Sequence, residues 1–287
     1  MSKSKQFQVS EFDIEIFKKL SQYYLTSKML HQLVPTFKAK TKITSLSFLK
    51  ERLRQLHAAG FINRDQRFSR GYGPNEYYYF LTKKSASFFE ELENTRPGRG
   101  ILKRLELGSQ EHAFMIAELM LKLEKDIFQS NDQVKLIGYI RENHFEIEIP
   151  AQQKNQKKVY LKPDGTIFLQ DRRQGHLLFL EVDLSTEPVS SVNPYRSSFK
   201  RKVSIYSVFR NHFKQHELIN LFGRYNGYRV LFVCRTFERV VSLLDAARNM
   251  GKKDMFWFSW LDKIQNHNVL FDKIWYLPTG KTPHCLL

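Results

Sequence analysis

Cysteine is scarce in this chain. There are two in 287 residues, Cys234 inside the apolar run at 231–234 and Cys285 near the end. They supply neither a disulfide framework nor a CxxC metal knot, so a reducing compartment is expected. Glycine, with 13 residues, and proline, with 9, are also sparse, which excludes collagen-like and low-complexity architectures. No stretch approaches the roughly 18 uninterrupted apolar residues of a membrane helix. Met1-Ser2-Lys3-Ser4-Lys5 leads into polar and acidic residues instead of an apolar signal core. The expectation is a soluble, cytoplasmic protein with no membrane insertion. Acidic residues are in deficit as well: 29 Asp and Glu face 46 Lys and Arg, a formal net charge of +17.

What is present is enough apolar residue, 42% of the chain, for the cores of about two domains. The basic surplus favours polyanionic partners, because each phosphate neutralised by Lys or Arg releases condensed counterions.

Phe12, Ile16, Phe17, Leu20 and Tyr24 have helical spacing, and Thr26 or Ser27 can cap a second short helix carrying Met29, Leu30 and Leu33 that Pro35 ends. Leu46, Leu49, Leu53 and Leu56 predict a third helix closing at Gly60. Phe61 to Arg64, a turn-rich stretch through Pro74, and Tyr77 to Phe80 predict a hairpin. Three helices and a hairpin describe a winged helix-turn-helix. Within residues 38–70, Lys38, Lys40, Lys42, Lys50, Arg52, Arg54, Arg64, Arg67 and Arg70 face only Glu51 and Asp65. That surplus equals the whole surplus of residues 1–95, and it falls on the third helix, the loop before it and the wing, the elements such a module presents to duplex DNA. Lys38, Lys40, Lys42, Lys50, Arg54, Arg64, Arg67 and Arg70 are the expected DNA contacts; protein docking is the other use of the module.

A helix over 83–95 and the stretch Asn94-Thr95-Arg96-Pro97-Gly98-Arg99-Gly100 suggest a domain boundary, dividing the chain into 1–95 and 96–287. The second part opens with an apolar helix over 109–128. Strands are expected over 144–149, 158–161, 166–169 and 176–184, a basic helix over 197–216, a strand over 228–234, a helix over 237–250, and strands over 255–260 and 271–276.

On an extended strand residues i and i+2 share a face, so Glu181 and Asp183 project together at the end of an apolar run. Asp164, in the turn Pro163-Asp164-Gly165, joins them if the two strands pair. Three converging carboxylates suit Mg²⁺ or Mn²⁺. Pro-Asp-Gly is also an ordinary turn sequence, and a strand-end glutamate is commonly solvated.

Pro163-Asp164 followed by Glu181-Val182-Asp183, in the order helix, three strands, helix, strand, resembles the PD-(D/E)XK restriction-endonuclease fold. KPDGTIFL at 162–169, FLEVDLSTEP at 179–188 and SFKRKVSIY at 198–206 are closer still to the replication-relaxation family of mobile elements. That family includes conjugative relaxases of the restriction-endonuclease-like class preceded by a winged helix. The resemblance covers about residues 10–235. It implies an α+β or α/β fold in which a restriction-endonuclease-like mixed-sheet domain follows the winged helix. It also implies Asp164, Glu181 and Asp183 as catalytic metal ligands, with Glu118 as a fourth acid from the first helix of that domain. One departure is plain: the lysine of the nuclease signature belongs two residues after the second acid, where this chain has Asp183. Lys200 or Lys202 on the following helix would then take the catalytic role, a migration seen in relatives of the fold.

Tyr195 and Tyr206 are noted because many relaxases attack DNA with a tyrosine, but the metal-binding histidine clusters of that other class are missing. His212 and His216 have HxxxH spacing on a basic helix and are expected to be solvated, and Tyr206 is expected to pack in the core. The implied activity is metal-dependent nicking of double-stranded DNA at a plasmid transfer origin, with accessory mobilisation or coupling proteins as further partners. Two alternatives stay open: a non-catalytic plasmid replication or copy-control factor on a decayed nuclease fold, favoured by the missing lysine, and a transposase endonuclease subunit, disfavoured by domain order.

Overall fold

The computed structural model describes residues 7–37, 45–67, 76–93, 103–141, 146–149, 159–192, 198–213, 225, 227–251 and 254–287. The chain forms two compact units, Met1–Leu121 and Lys122–Leu287. The expected boundary stretch at 94–100 lies outside the described residues.

In the first unit, α1 (Glu11–Leu20) starts at a capping box: Ser10 Oγ accepts from the Asp13 amide, and Asp13 Oδ2 accepts from the Ser10 amide at 2.7 Å. Phe12, Ile16, Phe17 and Leu20 form its buried face. A two-residue strand β1 (Leu25–Thr26) leads into α2 (Ser27–Leu33), capped by Thr26 and stopped by a 3-10 turn holding Pro35. α3 (Leu46–Ala58) buries Leu49, Leu53 and Leu56 and ends at Gly60, whose φ of 75° suits the left-handed exit of a helix. β2 (Ile62–Arg67) and β3 (Glu76–Leu81) pair antiparallel from Ile62↔Leu81 to Arg67↔Glu76, and β1 adds to the far edge of β3. α4 (Lys83–Glu93) follows, and the division between units falls along α5 (Leu107–Gln129). Asp13 also receives Arg52 from α3, at 2.8 Å from Nε and 2.5 Å from the second nitrogen. That pair ties the first helix to the third.

The second unit is built on a five-stranded mixed sheet in the order β10-β9-β8-β7-β4. β7 (Gly165–Asp171) runs antiparallel to its two neighbours, β4 (Val134–Arg141) and β8 (Gly175–Asp183); β9 (Tyr228–Cys234) and β10 (Phe256–Trp260) continue parallel to β8. β5 (Ile147–Ile149) and β6 (Val159–Leu161) form a separate two-stranded ladder. β8 is buried along nearly its whole length, as a central strand with covered faces should be. α6 (Phe199–His212) and α7 (Phe237–Asn249) supply Phe199, Val203, Tyr206, Phe209, Val240 and Leu243 to a core shared with Phe179, Phe232, Phe256 and Phe258. α8 (Leu261–Asn266) comes directly after β10.

Four elements depart from the sequence-based expectation, the first being β1, whose two residues are too short a run to show a strand pattern. β4 was not expected: it follows a turn at Asn131 and Asp132, both at positive φ, and its register shifts between Leu136 and Gly138, which breaks the alternation that marks a strand. Residues 271–276 form no strand, only bridges such as Phe258↔Tyr276. α8 was not expected either. Among the described residues no helix is long and apolar enough to cross a membrane.

Candidate functional site

The β7–β8 hairpin brings the acids together. Its turn is set by Asp171, whose Oδ1 accepts from the amides of Arg173 (2.7 Å) and Gln174 (2.6 Å). With that turn fixed, Gly165 pairs with Leu180, so Asp164 stands at the mouth of the ladder beside Glu181. The Asp164 amide donates to the Leu180 carbonyl at 3.0 Å, and its Oδ2 accepts from the Val182 amide at 2.7 Å. The carboxylate thus continues the ladder where β7 has not yet begun. Gly165 serves packing: a Cβ there would come within 3.0 Å of the Tyr139 ring.

Glu181 is 2% exposed. Its Oε1 accepts from the Tyr206 hydroxyl at 2.6 Å, and the Lys202 ammonium lies 2.8 Å from Oε2. The second contact is an ion contact only, since Oε2 receives no hydrogen bond of acceptable direction. Lys202 and Tyr206 are four residues apart on α6 and therefore share a helix face. Lys202 also meets Glu187 at 3.4 Å. Burial is the main cause that pushes the Glu181 carboxyl up to about 7, and the Asp164 charge adds to it, while Lys202 and Tyr206 pull the other way. Burial opposes the charged form of Lys202, but Glu181, Asp164 and Glu187 together outweigh it and hold the ammonium above its ordinary range. Three carboxylates around one ammonium are over-supplied with negative charge, and a proton on Glu181 relieves part of it. Tyr206 is held protonated by burial and by the neighbouring Glu181 charge.

Asp183 shares the strand and the face but not the surroundings. Its Oδ2 accepts from Arg239 of α7 at 3.2 and 2.8 Å, and its Oδ1 from the Ser185 amide at 2.6 Å. Arg239 also donates to the Glu187 carbonyl at 2.5 Å. Asp183 and Arg239 therefore pin the loop that carries Glu187, whose carboxylate reaches Lys202. Lys200, the other lysine singled out in the sequence, lies exposed, and its amide donates to the Val189 carbonyl at 3.0 Å.

The expected group of three acids is not assembled: among the described residues, no three His, Cys, Asp or Glu side chains stand close enough to hold a metal ion. A Mg²⁺ site does not need three, because this ion keeps several waters and uses one or two carboxylates together with substrate phosphates. Asp164 and Glu181 fit that demand, since Glu181 carries a buried oxygen without a directed donor. Asp183 does not fit, with both oxygens engaged. Glu118 lies in the first unit, 3.1 Å from Arg67.

Of the expected DNA contacts, Lys38, Lys40, Lys42 and Arg70 lie outside the described residues, as do Tyr195 and His216. Lys50 and Arg54 are exposed on α3, where Arg54 forms a two-pronged pair with Glu51 at 2.7 and 2.8 Å. The guanidinium of Arg64 stacks on Tyr77 with its carbon 4.6 Å from the ring centre, and that of Arg67 on Phe114 at 4.3 Å. Sequence reasoning missed Glu187 and Arg239. Arg239 was findable from register, since Cys234 pairs with Asp183 and the helix that begins after Thr236 must rise beside it.

The model of one protein family, described as replication-relaxation, matches residues 22–222. The chain belongs to that family, and the membership points to a role in plasmid replication or relaxation. No curated protein and no solved structure matches the chain.

Proposed function

We propose that this member of the replication-relaxation family nicks double-stranded plasmid DNA at a site built from Asp164, Glu181 and Lys202. The observation that carries the reading is Glu181, a buried carboxylate at a strand end, held between the Tyr206 hydroxyl at 2.6 Å and the Lys202 ammonium at 2.8 Å. A buried carboxylate whose charge partner is a lysine only partly withdrawn from water is costly to maintain for stability alone. Strongly perturbed groups set around a specific charge partner are what catalytic sites require.

Asp164 and Glu181 would hold Mg²⁺ or Mn²⁺, which when bound supplies Lewis-acid polarisation of a phosphate and lowers the pKa of a water. Lys202 supplies the positive charge that faces the charge developing on the phosphorane oxygens. It takes the place of the lysine missing at position 183. Tyr206 positions Glu181 and donates no proton to the reaction, and Glu187 shares Lys202 with Glu181. Asp183 belongs to the Arg239 staple and not to the metal-holding set. The first three helices and the hairpin of the first unit, with the exposed cations Lys50 and Arg54, support a winged-helix reading in which this unit grips duplex DNA through phosphate contacts.

The test is the conversion of supercoiled plasmid to open circles by the full chain with Mg²⁺, with Mn²⁺ and with chelator. Metal-dependent nicking that Glu181→Gln abolishes, while DNA affinity is retained, is the expected result. Binding without nicking in any metal overturns the enzyme reading. It leaves a non-catalytic replication or copy-control factor, the reading that Asp183 at the signature lysine position favours.

A further inference from the structure

The other end of β8 carries a second charged feature that the nicking site does not use. A cleft of about 230 Å³ opens where β8 begins, where β9 begins and where α6 ends, and its lining includes Gln174, His176, Arg210, Tyr228, Arg229 and Asp254. Arg229 is the informative residue. Its guanidinium stacks on Trp257 with its carbon 4.7 Å from the ring centre, and one nitrogen donates to the Leu286 carbonyl at 2.6 Å. No carboxylate pairs with it among the described residues. A guanidinium has five N–H donors, so this one keeps donors to spare. Burial lowers its pKa from the ordinary arginine value, the mark of a cation held without a counter-ion.

The rest of the lining points the same way. Arg210 brings a second, exposed guanidinium from α6. His176 is held in place by Asp171, 3.0 Å from its Nε2, so the Asp171 charge is already engaged with the ring and the turn amides. Among the described residues of the lining Asp254 is the single carboxylate, and two arginines outnumber it. Its carbonyl accepts from the Trp257 indole at 3.0 Å, which ties this wall to the ring that Arg229 stacks on. Small-molecule pockets commonly run from about 300 to 1,000 Å³. A cleft below that range has room for a phosphate group or one nucleotide, not for a large cofactor.

We propose that this cleft is a phosphate site, in which Arg210 and Arg229 take a phosphate group presented by a DNA strand or by a free nucleotide. It is separate from the acids: His176 and Glu181 are five residues apart on one strand, roughly 16 Å at 3.3 Å per residue. The phosphate bound here is therefore not the one that Asp164, Glu181 and Lys202 would act on.

The test is calorimetric titration of the full chain in chelator with three probes: inorganic phosphate, a deoxynucleoside monophosphate and a short single-stranded oligonucleotide. Chelator and a parallel titration of Glu181→Gln keep the result independent of the nicking site. Binding of at least one probe is expected, weakened about tenfold or more in Arg210→Gln, on the scale of one charge-assisted hydrogen bond, and unchanged in Glu181→Gln. A loss in Arg210→Gln confined to the oligonucleotide identifies a DNA strand as the source, and a loss that extends to the mononucleotide identifies a free nucleotide. Arg229→Gln should weaken binding further, but it also releases the Leu286 carbonyl; if its melting temperature falls, the exposed Arg210 decides. Equal affinity of wild type and Arg210→Gln for every probe overturns the proposal, as does failure of all three probes to bind wild type at millimolar concentration.

Discussion

Asp13 in the first unit and Glu181 in the second are both buried carboxylates facing a basic side chain, and they are satisfied in different ways. Asp13 receives the Ser10 amide and hydroxyl and two nitrogens of Arg52, so both of its oxygens are engaged by directed donors. Glu181 receives one hydroxyl and one ion contact, in the field of Asp164, and its carboxyl is pushed up to about 7. Asp183, two residues along the same strand, resembles Asp13 in its guanidinium partner. A carboxylate built for structure is paired to completion by arginine and amides. Glu181 is left with a carboxyl pushed up to about 7 and a lysine that it shares with Glu187, the setting that the proposed nicking role uses.

That contrast breaks most visibly at Asp13. Asp13→Ala strands Arg52 and removes the capping box, so it should destabilise the first unit by about 3 kcal/mol or more, the scale for breaking a buried pair from one side. Urea unfolding followed by a probe in that unit reads it; a loss under 1 kcal/mol would mean that water replaces the carboxylate at little cost. Lys202→Ala should act in the opposite currency: nicking slowed by about 10² to 10³, with DNA affinity retained. Lys200→Ala, on the exposed side of the same helix, should nick at the wild-type rate, and equal losses in both variants would show that the charge of α6 matters only in bulk.

A smaller effect follows from pH. Glu181 binds its proton more tightly in the folded chain than in the unfolded one, so it favours folding most below its ordinary pKa near 4.5, and that contribution fades as pH rises toward about 7. In chelator, the stability of wild type should therefore carry a downward slope between these values that Glu181→Gln lacks. Parallel curves would place the proton elsewhere in the cluster. The smallest effect concerns salt: Lys50→Ala should flatten the dependence of log DNA affinity on log salt by about 0.9, one phosphate contact. An unchanged slope would remove this face of α3 from the DNA interface.

The helical part of the first unit was legible because leucines spaced three and four apart have one physical explanation, a buried face. The Asp13–Arg52 tie was not, since it joins residues 39 apart and local spacing says nothing about such contacts. In the second unit the apolar run of β8 and the acids at its end stood out, whereas β4 was hidden by the register shift at Gly138. The face shared by Lys202 and Tyr206 follows from helix periodicity, which separates Lys202 from Lys200. The fate of Asp183 could not be read locally. Spacing of two placed it beside Glu181, and only the parallel register of β9 reveals the arginine that takes it away from the pair.

The most direct measurement is therefore plasmid nicking in Mg²⁺ by Glu181→Gln and Asp183→Asn side by side, with the folded fraction of each fixed by its melting curve. Glu181→Gln should remain folded, bind DNA and leave the plasmid supercoiled. Asp183→Asn, with its arginine staple weakened, should melt at a lower temperature yet nick close to the wild-type rate per folded molecule. Wild-type nicking by Glu181→Gln would contradict the assignment of the site.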